Sequence, residues 1–586
     1  MKLKKLFYLT LCLLTLVSCD TDDYLDQQNP NEISKETFWR NLEETAKGLN
    51  AVYQVLHNPA TLNMYGEILR SDMGYPGYGR PAPQNTEDFY LHTYTGSSND
   101  ITSKWTSNYQ GIFRANQVIE ALNNLNVTPE TEEEWTSQMA QARFFRGLYH
   151  YYLYSTFNNG NIIIRDRVPL SNEDFAKKIS STADVLAFIR SDLEYAYENL
   201  YKKGEYPSND VSRVTSGAAA TILGTSYLQE LDYQNAMVYF DDVINNHGYE
   251  LEQDLSKMWT TAHGEFNSES IFEINYTNEN VRIDLSPWNG ESGTNWLNVR
   301  TFNTRSATVP VWMVNSYKSE PIDPADLRNY YEDDNGDLKL KNVPLRCAAM
   351  VAVVDDSQTP YYQFPSVSEY PRFHGTAWGF GWWKKYQNHD ILSNESDLEG
   401  GAQFSTKNIT LNRLSEVYLM QAECKVKTGA VDEAIQLINS IRKRWGLILL
   451  GQSFDPSRTY DGEIYTADSL MQHLMRIEKP LEMSIEGHAI RFLDFQRWKT
   501  SDNYSFDNRL DELSNEEYYG VNFSFITSTG NSRIRFNYPS IVDEKPNSNH
   551  LVIDYEYDIS SINYNEDIHE QYPIPFSEQN ANSNIN

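Results

Sequence analysis

Two stretches of the chain, 198 positions apart, share one pattern of side chains. Gly224, Tyr227, Tyr233, Ala236, Phe240 and Val243 in the first correspond to Ala422, Lys425, Val431, Ala434, Ile438 and Ile441 in the second. Steps of three and four residues place each set on one face of a helix. The small residues let two antiparallel helices approach, and the larger ones fill the space between them. Lys425, where Tyr227 stands in the first copy, is the poorest match. A chain built on such a unit must stack helix pairs, because one pair alone cannot bury its apolar face.

The same periodicity recurs elsewhere. Phe38, Leu42, Ala46, Leu49, Val52, Tyr53 and Leu56 predict a first helix, with Ser34 as its cap. Ile101, Trp105, Tyr109, Ile112, Phe113, Val118, Leu122 and Leu125 predict a second. Thr128-Pro129, a cap followed by a first-turn proline, opens a third through Trp135, Met139, Ala142, Phe145, Tyr149 and Tyr152. More are expected at 182–200, 212–230, 233–246, 409–427, 431–444 and 466–498. The fold class that follows is mostly α. About four tetratricopeptide-like helix pairs form a solenoid scaffold, interrupted at 250–408 by an irregular lobe in which "SESIFEINYT" alternates like a strand. A second irregular stretch, 500–565, includes "NSRIRFNYPS" and "NHLVIDYEYD", both read as strand-bearing.

The N-terminus reads differently. Lys2, Lys4 and Lys5 precede an apolar run, Leu6 to Val17, that is too short for a bilayer, which needs roughly 20 residues. It has the build of a secretory signal. Leu16-Val17-Ser18 leads directly into Cys19, which resembles a bacterial lipobox and implies that Cys19 becomes the lipidated first residue. The expected division is 1–18 signal, 19–33 lipidated terminus and spacer, and 34–586 body, with scaffold at 34–249 and 409–499, lobe at 250–408, and C-terminal segment 500–586.

The chain carries 81 acidic and 49 basic residues, a net charge of -32. Such a surface repels phosphate backbones, so nucleic acid is not an expected partner. With Cys12 in the signal and Cys19 acylated, only Cys347 and Cys424 remain, and geometry alone decides whether they pair.

Sugar recognition needs flat aromatic faces for the C–H patches of a ring and paired donors or acceptors for vicinal hydroxyls. Three segments supply both. "SDMGYPGYGRPAPQN" holds Asp72, Tyr75, Tyr78, Arg80 and Asn85; "LSPWNGESGTNWLNVR" holds Trp288, Asn289, Trp296 and Asn298; "EYPRFHGTAWGFGWWKKYQN" holds Trp378, Trp382 and Trp383. Ten of the 26 residues from Tyr361 to Tyr386 are aromatic, and local core is the competing reading for each. Trp39, Trp105, Trp135, Trp445 and Trp498 lie in helical segments and are assigned to packing. "YEDDNGDLK" arranges Asp333, Asp334, Asn335 and Asp337 around a glycine without the distal glutamate of a full calcium loop, so a solvated turn is the expected outcome. No HExxH, Walker loop, GxSxG elbow or CxxC is present; no metal or cofactor is implied, and no catalytic residue is assigned. Paired carboxylates for an endo-acting glycoside hydrolase stay open as an alternative.

Several segments together resemble the SusD/RagB-type family of Bacteroidetes surface lipoproteins. They are "QARFFRGLYHYYLYSTFNNGNIIIRD", "TSGAAATILGTSYLQELDYQNAMVYFDDVINNHGYEL", "LSEVYLMQAECKVKTGAVDEAIQLINSIRKRWGL", "RIEKPLEMSIEGHAIRFLDFQRW" and the ending "QYPIPFSEQNANSNIN". The resemblance implies a non-catalytic, lipid-anchored protein on the outer-membrane surface. Such a protein captures a glycan, or in some members a peptide, and works with a SusC-like TonB-dependent transporter. It implies the ligand class and not the ligand. The acidic cluster Asp20, Asp22 and Asp23 after the cysteine also fits that group.

Overall fold

The computed structural model describes residues 38–76, 87–208, 210–277, 292–303, 306–333, 335–371, 380–542, 552–553 and 556–585. Eight helices stack so that each packs on the next: α1 (Leu42–Gln54), α2 (Asn99–Asn124), α3 (Glu132–Thr156), α4 (Thr182–Asn199), α5 (Ser216–Gln229), α6 (Tyr233–Asn246), α7 (Leu414–Lys427) and α8 (Val431–Arg444). These are the four expected pairs. They are continuous in space although the chain leaves the stack after α6 and returns at α7.

The strands at either end of the excursion close it. β1 (Ser270–Ile274) pairs antiparallel with β6 (Ile409–Arg413), Ile274 opposite Ile409 and Ser270 opposite Arg413. Within the lobe, β2 (Tyr330–Glu332) pairs with β3 (Leu338–Leu340) and β4 (Val351–Val353) with β5 (Gly381–Trp383). The C-terminal segment adds α9 (Ile490–Asp502), α10 (Phe506–Ser514) and a sheet of β7 (Tyr518–Ile526), β8 (Ser532–Val542) and β9 (Val552–Ile553) in the order β8-β7-β9. The strands expected in 270, 532 and 552 segments are therefore present.

The repeat has a physical basis at each position. A Cβ on Gly224 would sit 2.5 Å from the Phe240 ring, so only glycine allows α5 and α6 this approach. Tyr227 stacks on Tyr239, centroids 5.8 Å apart. Its counterpart Lys425 instead pairs with Glu433 of α8 at 2.8 Å, which explains the weak match. The turns correspond too: Leu231 (φ 62°) and Gly429 (φ 87°) take the same left-handed place, a conformation that strains leucine by on the order of 1 kcal/mol.

Several boundaries move. Asn41 caps α1, accepting from the Glu44 N–H at 3.0 Å, and Ser34 lies outside the described residues. Thr128-Pro129 forms a turn before α3, which begins at Glu132 after Thr131. Thr215 caps α5, so that helix starts at Ser216. The expected helix 409–427 divides, since Ile409–Arg413 is claimed by β1 as a strand. The expected helix 466–498 is broken into Ala467–His473, a π turn at Leu474–Glu478, Lys479–Glu482 and, after left-handed Ile485, Gly487 and Ala489, α9. The break turns Glu478, Glu482 and Glu486 inward.

Those three carboxylates meet buried cations from the scaffold and the lobe. Glu482 accepts from Arg413 (2.7 Å), Arg444, Trp445 Nε1 (2.8 Å) and Arg346 (3.3 Å). Glu478 accepts from Arg346 (2.7 Å) and Arg442 (2.9 Å), Glu486 from Arg413 (2.6 Å) and Lys385, and Glu269 from Arg413 (2.5 Å) and Arg444. Glu320 pairs with Arg346. Five cations and five carboxylates thus join the end of β6, α8, the residues flanking β1 and β5, and the broken helix in one buried network.

Glu416, in the first turn of α7, makes no ion pair among the described residues and accepts from Asn412 at 2.9 Å. Burial lifts its carboxyl to about 7, against the pull of Asn412 and Lys479 and with the help of Glu486 and Asp494. Between the unfolded value of about 4.3 and the folded one, the native state holds the extra proton, so stability falls as pH rises. Glu416→Gln is expected to remove this slope and to gain on the parent protein by on the order of 2 kcal/mol between pH 4.5 and pH 8. Urea midpoints at the two pH values check it.

Candidate functional site

The segment 71–76 is held from below. Asp72 is fully buried and accepts from Arg491 Nε and Nη2, both 2.8 Å, and from Arg509 Nε at 3.0 Å, while its carbonyl takes the Trp312 indole at 2.7 Å. Burial opposes its ionisation but is outweighed by the two guanidinium groups, which hold the carboxyl below its usual range. Tyr75 is also buried and bridges to Thr308 through backbone bonds of 3.0 and 2.8 Å. Both expectations of direct ligand contact are corrected here: these side chains anchor the segment and are closed to solvent.

Trp382 requires the same correction. It lies on β5 opposite Ala352, is 2% exposed, and packs with Val354, Tyr361, Tyr362, Val367 and Tyr370 in a small second core. Trp383, its neighbour on the other face, enters the main core. The aromatic density of 361–386 is thus largely local core. Tyr78, Arg80, Asn85, Trp288, Asn289, Trp378 and Cys19 lie outside the described residues. Asn298 is buried and donates to Glu395 at 3.1 Å and to the Ala402 carbonyl at 2.7 Å.

Trp296 is different, with 43% of its surface exposed. It begins a turn whose Arg300 N–H returns to the Trp296 carbonyl (3.4 Å) and which runs into a π-helical turn, Val299–Asn303, a distortion frequent at functional sites. The Arg300 guanidinium lies 4.7 Å over the ring of Tyr65, and among the described residues it makes no ion pair. Tyr65 sits beside Glu87 and Ser306; burial, then the Glu87 charge, pushes its hydroxyl pKa up, so it stays a neutral donor. Nearby, His57 stacks on Tyr276 at 5.2 Å and accepts from Ser292 N–H at 2.9 Å through its carbonyl; burial lowers the pKa of the imidazole. Arg300 and Tyr65 were not singled out from sequence. A cation four residues after a tryptophan was the available signal.

Backbone bonds connect this surface to the other two segments. Ala307 N–H reaches Arg300 O (3.1 Å), Thr308 pairs with Tyr75, and Val309 N–H reaches Gly381 O (3.3 Å). The described residues next to 77–86, 278–291 and 372–379 therefore gather around Trp296 and Arg300.

A larger groove, about 640 Å³, runs along α2 past Trp105, Tyr109, Phe113, Arg165, Phe175 and Glu578. Several of its polar groups are already engaged. Tyr109 donates to Ile163 O (2.9 Å), Arg165 to the Asp174 and Phe175 carbonyls (2.9 and 2.7 Å), and Trp105 Nε1 to Glu578 (3.4 Å). The Trp296 ring is exposed, and the Arg300 guanidinium has no ion-pair partner among the described residues, which makes this surface the stronger candidate.

Cys347 and Cys424 are both free and buried. Asp333 accepts from the N–H groups of Asn335 and Asp337 at 3.0 and 2.9 Å, a turn between β2 and β3. Among the described residues no three metal-binding side chains cluster, and no helix is long and apolar enough to cross a membrane. Trp105, Trp445 and Trp498 are core, and Trp39 and Trp135 pack against it.

Residues 268–586 match the model described as the SusD family, more than half of the chain, and residues 23–228 match one described as "Starch-binding associating with outer membrane". The chain belongs to the SusD family. SusD-like protein P38 of Formosa agariphila is 24% identical over 505 residues, covering 82% of this chain and 89% of the relative. A SusD superfamily protein from Bacteroides vulgatus superposes with a TM-score of 0.64 at 22% identity, over 94% of this chain and 99% of that one. A structure titled "Laminarin binding SusD-like protein" superposes with a TM-score of 0.58 at 19% identity, over 93% and 99%. The SusD fold thus spans the helical stack and the lobe together.

Proposed function

We propose that this SusD-family protein captures extracellular glycan on the surface around Trp296 and passes it to a TonB-dependent transporter in the outer membrane. The observation that carries the reading is the exposed Trp296 indole, four residues before Arg300 in one hydrogen-bonded turn, in a fold shared with a laminarin-binding protein. The indole offers a stacking face and the guanidinium a planar set of donors. Tyr78, Arg80, Trp288 and Trp378 are proposed to complete the surface, since their described chain neighbours converge on it. Binding, with no bond broken, is the proposed work.

A glycan array on the soluble body, residues 20–586, tests this. Retention of at least one class of oligosaccharide is expected; silence across the array contradicts the reading.

Anchoring is proposed to follow from acylation of Cys19 at the end of the 1–18 leader. Several acyl chains hold a protein firmly where one does not. Cys19→Ala should abolish incorporation of a fatty-acid probe and release the protein from membranes. Persistent labelling would remove the anchor. Affinity capture from native membranes should recover a barrel protein with the parent chain.

A further inference from the structure

The glycan-binding reading leaves the chemistry of the sugar open, and charge narrows it. With 81 acidic residues in 586, an acid falls about once in seven positions. Yet the stretches 73–86, 292–319 and 370–389 contain none, while they contain Arg80, Arg300, Arg305, Lys318 and Arg372. The Tyr75–Thr308 and Val309–Gly381 backbone bonds join described residues of these three stretches. Lys384 and Lys385, also in the third, are spent internally on Ala348 O and on Glu486. Lys318 likewise pairs with Asp355 at 2.6 Å.

Arg300 is not spent. Its guanidinium rests on Tyr65 at 4.7 Å and has no carboxylate partner among the described residues. A guanidinium with no carboxylate partner among the described residues can present its fork of donors to an incoming anion. Among the described residues Glu87 stands beside the Tyr65 hydroxyl, and in sequence the stretch 278–291 is mixed, with Arg282 among Glu279, Asp284 and Glu291. The rest of the acidic surface repels an anion, so a ligand of that kind requires a local region of opposite sign.

Resting on the glycan-binding reading, we infer that the Trp296 surface takes an anionic glycan, bearing carboxylate or sulfate groups, with Arg300 as the charge-matching residue. If Arg300 served only to pack on Tyr65, its charge would leave no mark on ligand choice.

The test uses matched oligosaccharides: uronates beside their carboxyl-reduced forms, and sulfated chains beside their desulfated forms, titrated with the soluble body. The anionic member of a pair should bind more tightly by about tenfold or more, the size of one charge-assisted pair. The preference should shrink as sodium chloride is raised. Arg300→Gln should abolish it with an unchanged melting curve, and Arg300→Lys should keep part of it. Whether uronate or sulfate carries the preference identifies the source of the charge. Preference for the neutral members, or a preference that Arg300→Gln leaves intact, overturns the inference while the capture function stands. Binding of no member in any pair removes both. Should Arg300→Gln not fold, the salt dependence of the parent protein decides: a preference insensitive to salt overturns the inference.

Discussion

Glu482→Ala is expected to cost roughly 3–5 kcal/mol of stability, the range for removing one partner from a buried ion pair. The carboxylate takes Arg413, Arg444, Arg346 and the Trp445 indole, and its side chain and those of Arg444 and Arg346 are fully buried. Without it, an excess of positive charge is left where water does not reach. The destabilisation arises from the stranded arginines as much as from the lost bonds. Burial would raise the Glu482 carboxyl, but Arg444, Arg413 and Arg346 outweigh it and hold it far below its usual range. Glu478 is lowered likewise by Arg346 and Arg442 against its own burial. Folded values below the unfolded one mean that this stability is fully present above about pH 4.3 and is lost as pH falls beneath it. Chemical denaturation of Glu482→Ala beside the parent at pH 7 measures the effect. A loss under 1 kcal/mol would show that the network relaxes around the gap.

The second large effect separates two tryptophans that look alike in sequence. Trp296→Ala should leave the melting curve within a degree or two of the parent, because the indole is 43% exposed. Its glycan affinity should fall by about tenfold to a hundredfold, taking roughly 1–3 kcal/mol for a stacked ring by analogy with base stacking. Trp382→Ala should do the reverse. That ring is 2% exposed in the second core, and truncation should cost about 3–5 kcal/mol of stability. Calorimetric titration and thermal melts of both variants distinguish the roles.

The contrast shows what the chain discloses by itself. Helix pairing was legible because its period is local, and the 198-residue correspondence survived even where Lys425 replaced an aromatic. The boundaries that failed were decided by distant partners. Ile409–Arg413 is a strand because β1 lies alongside it. The helix near Pro480 breaks because its carboxylates turn toward arginines elsewhere in the chain. The site was legible as a set of segments and not as residues. Asp72 is bound by Arg491 and Arg509, 419 and 437 positions away, and no spacing rule relates them. "GWW" is a strand of three residues, too short for its alternation to separate a core ring from a platform. Trp296 alone among the described candidates kept an exposed face. Arg300 gained meaning only once the structure laid it over Tyr65.

Whether the ligand sits on the Trp296 surface is read from hydrogen–deuterium exchange of residues 20–586, with and without the glycan that binds best on the array. Slowed exchange is predicted in 292–303 and in the adjoining residues around His57, Tyr65 and Thr308. Protection confined to the α2 groove between Thr102 and Asn116, with 292–303 unchanged, would contradict it.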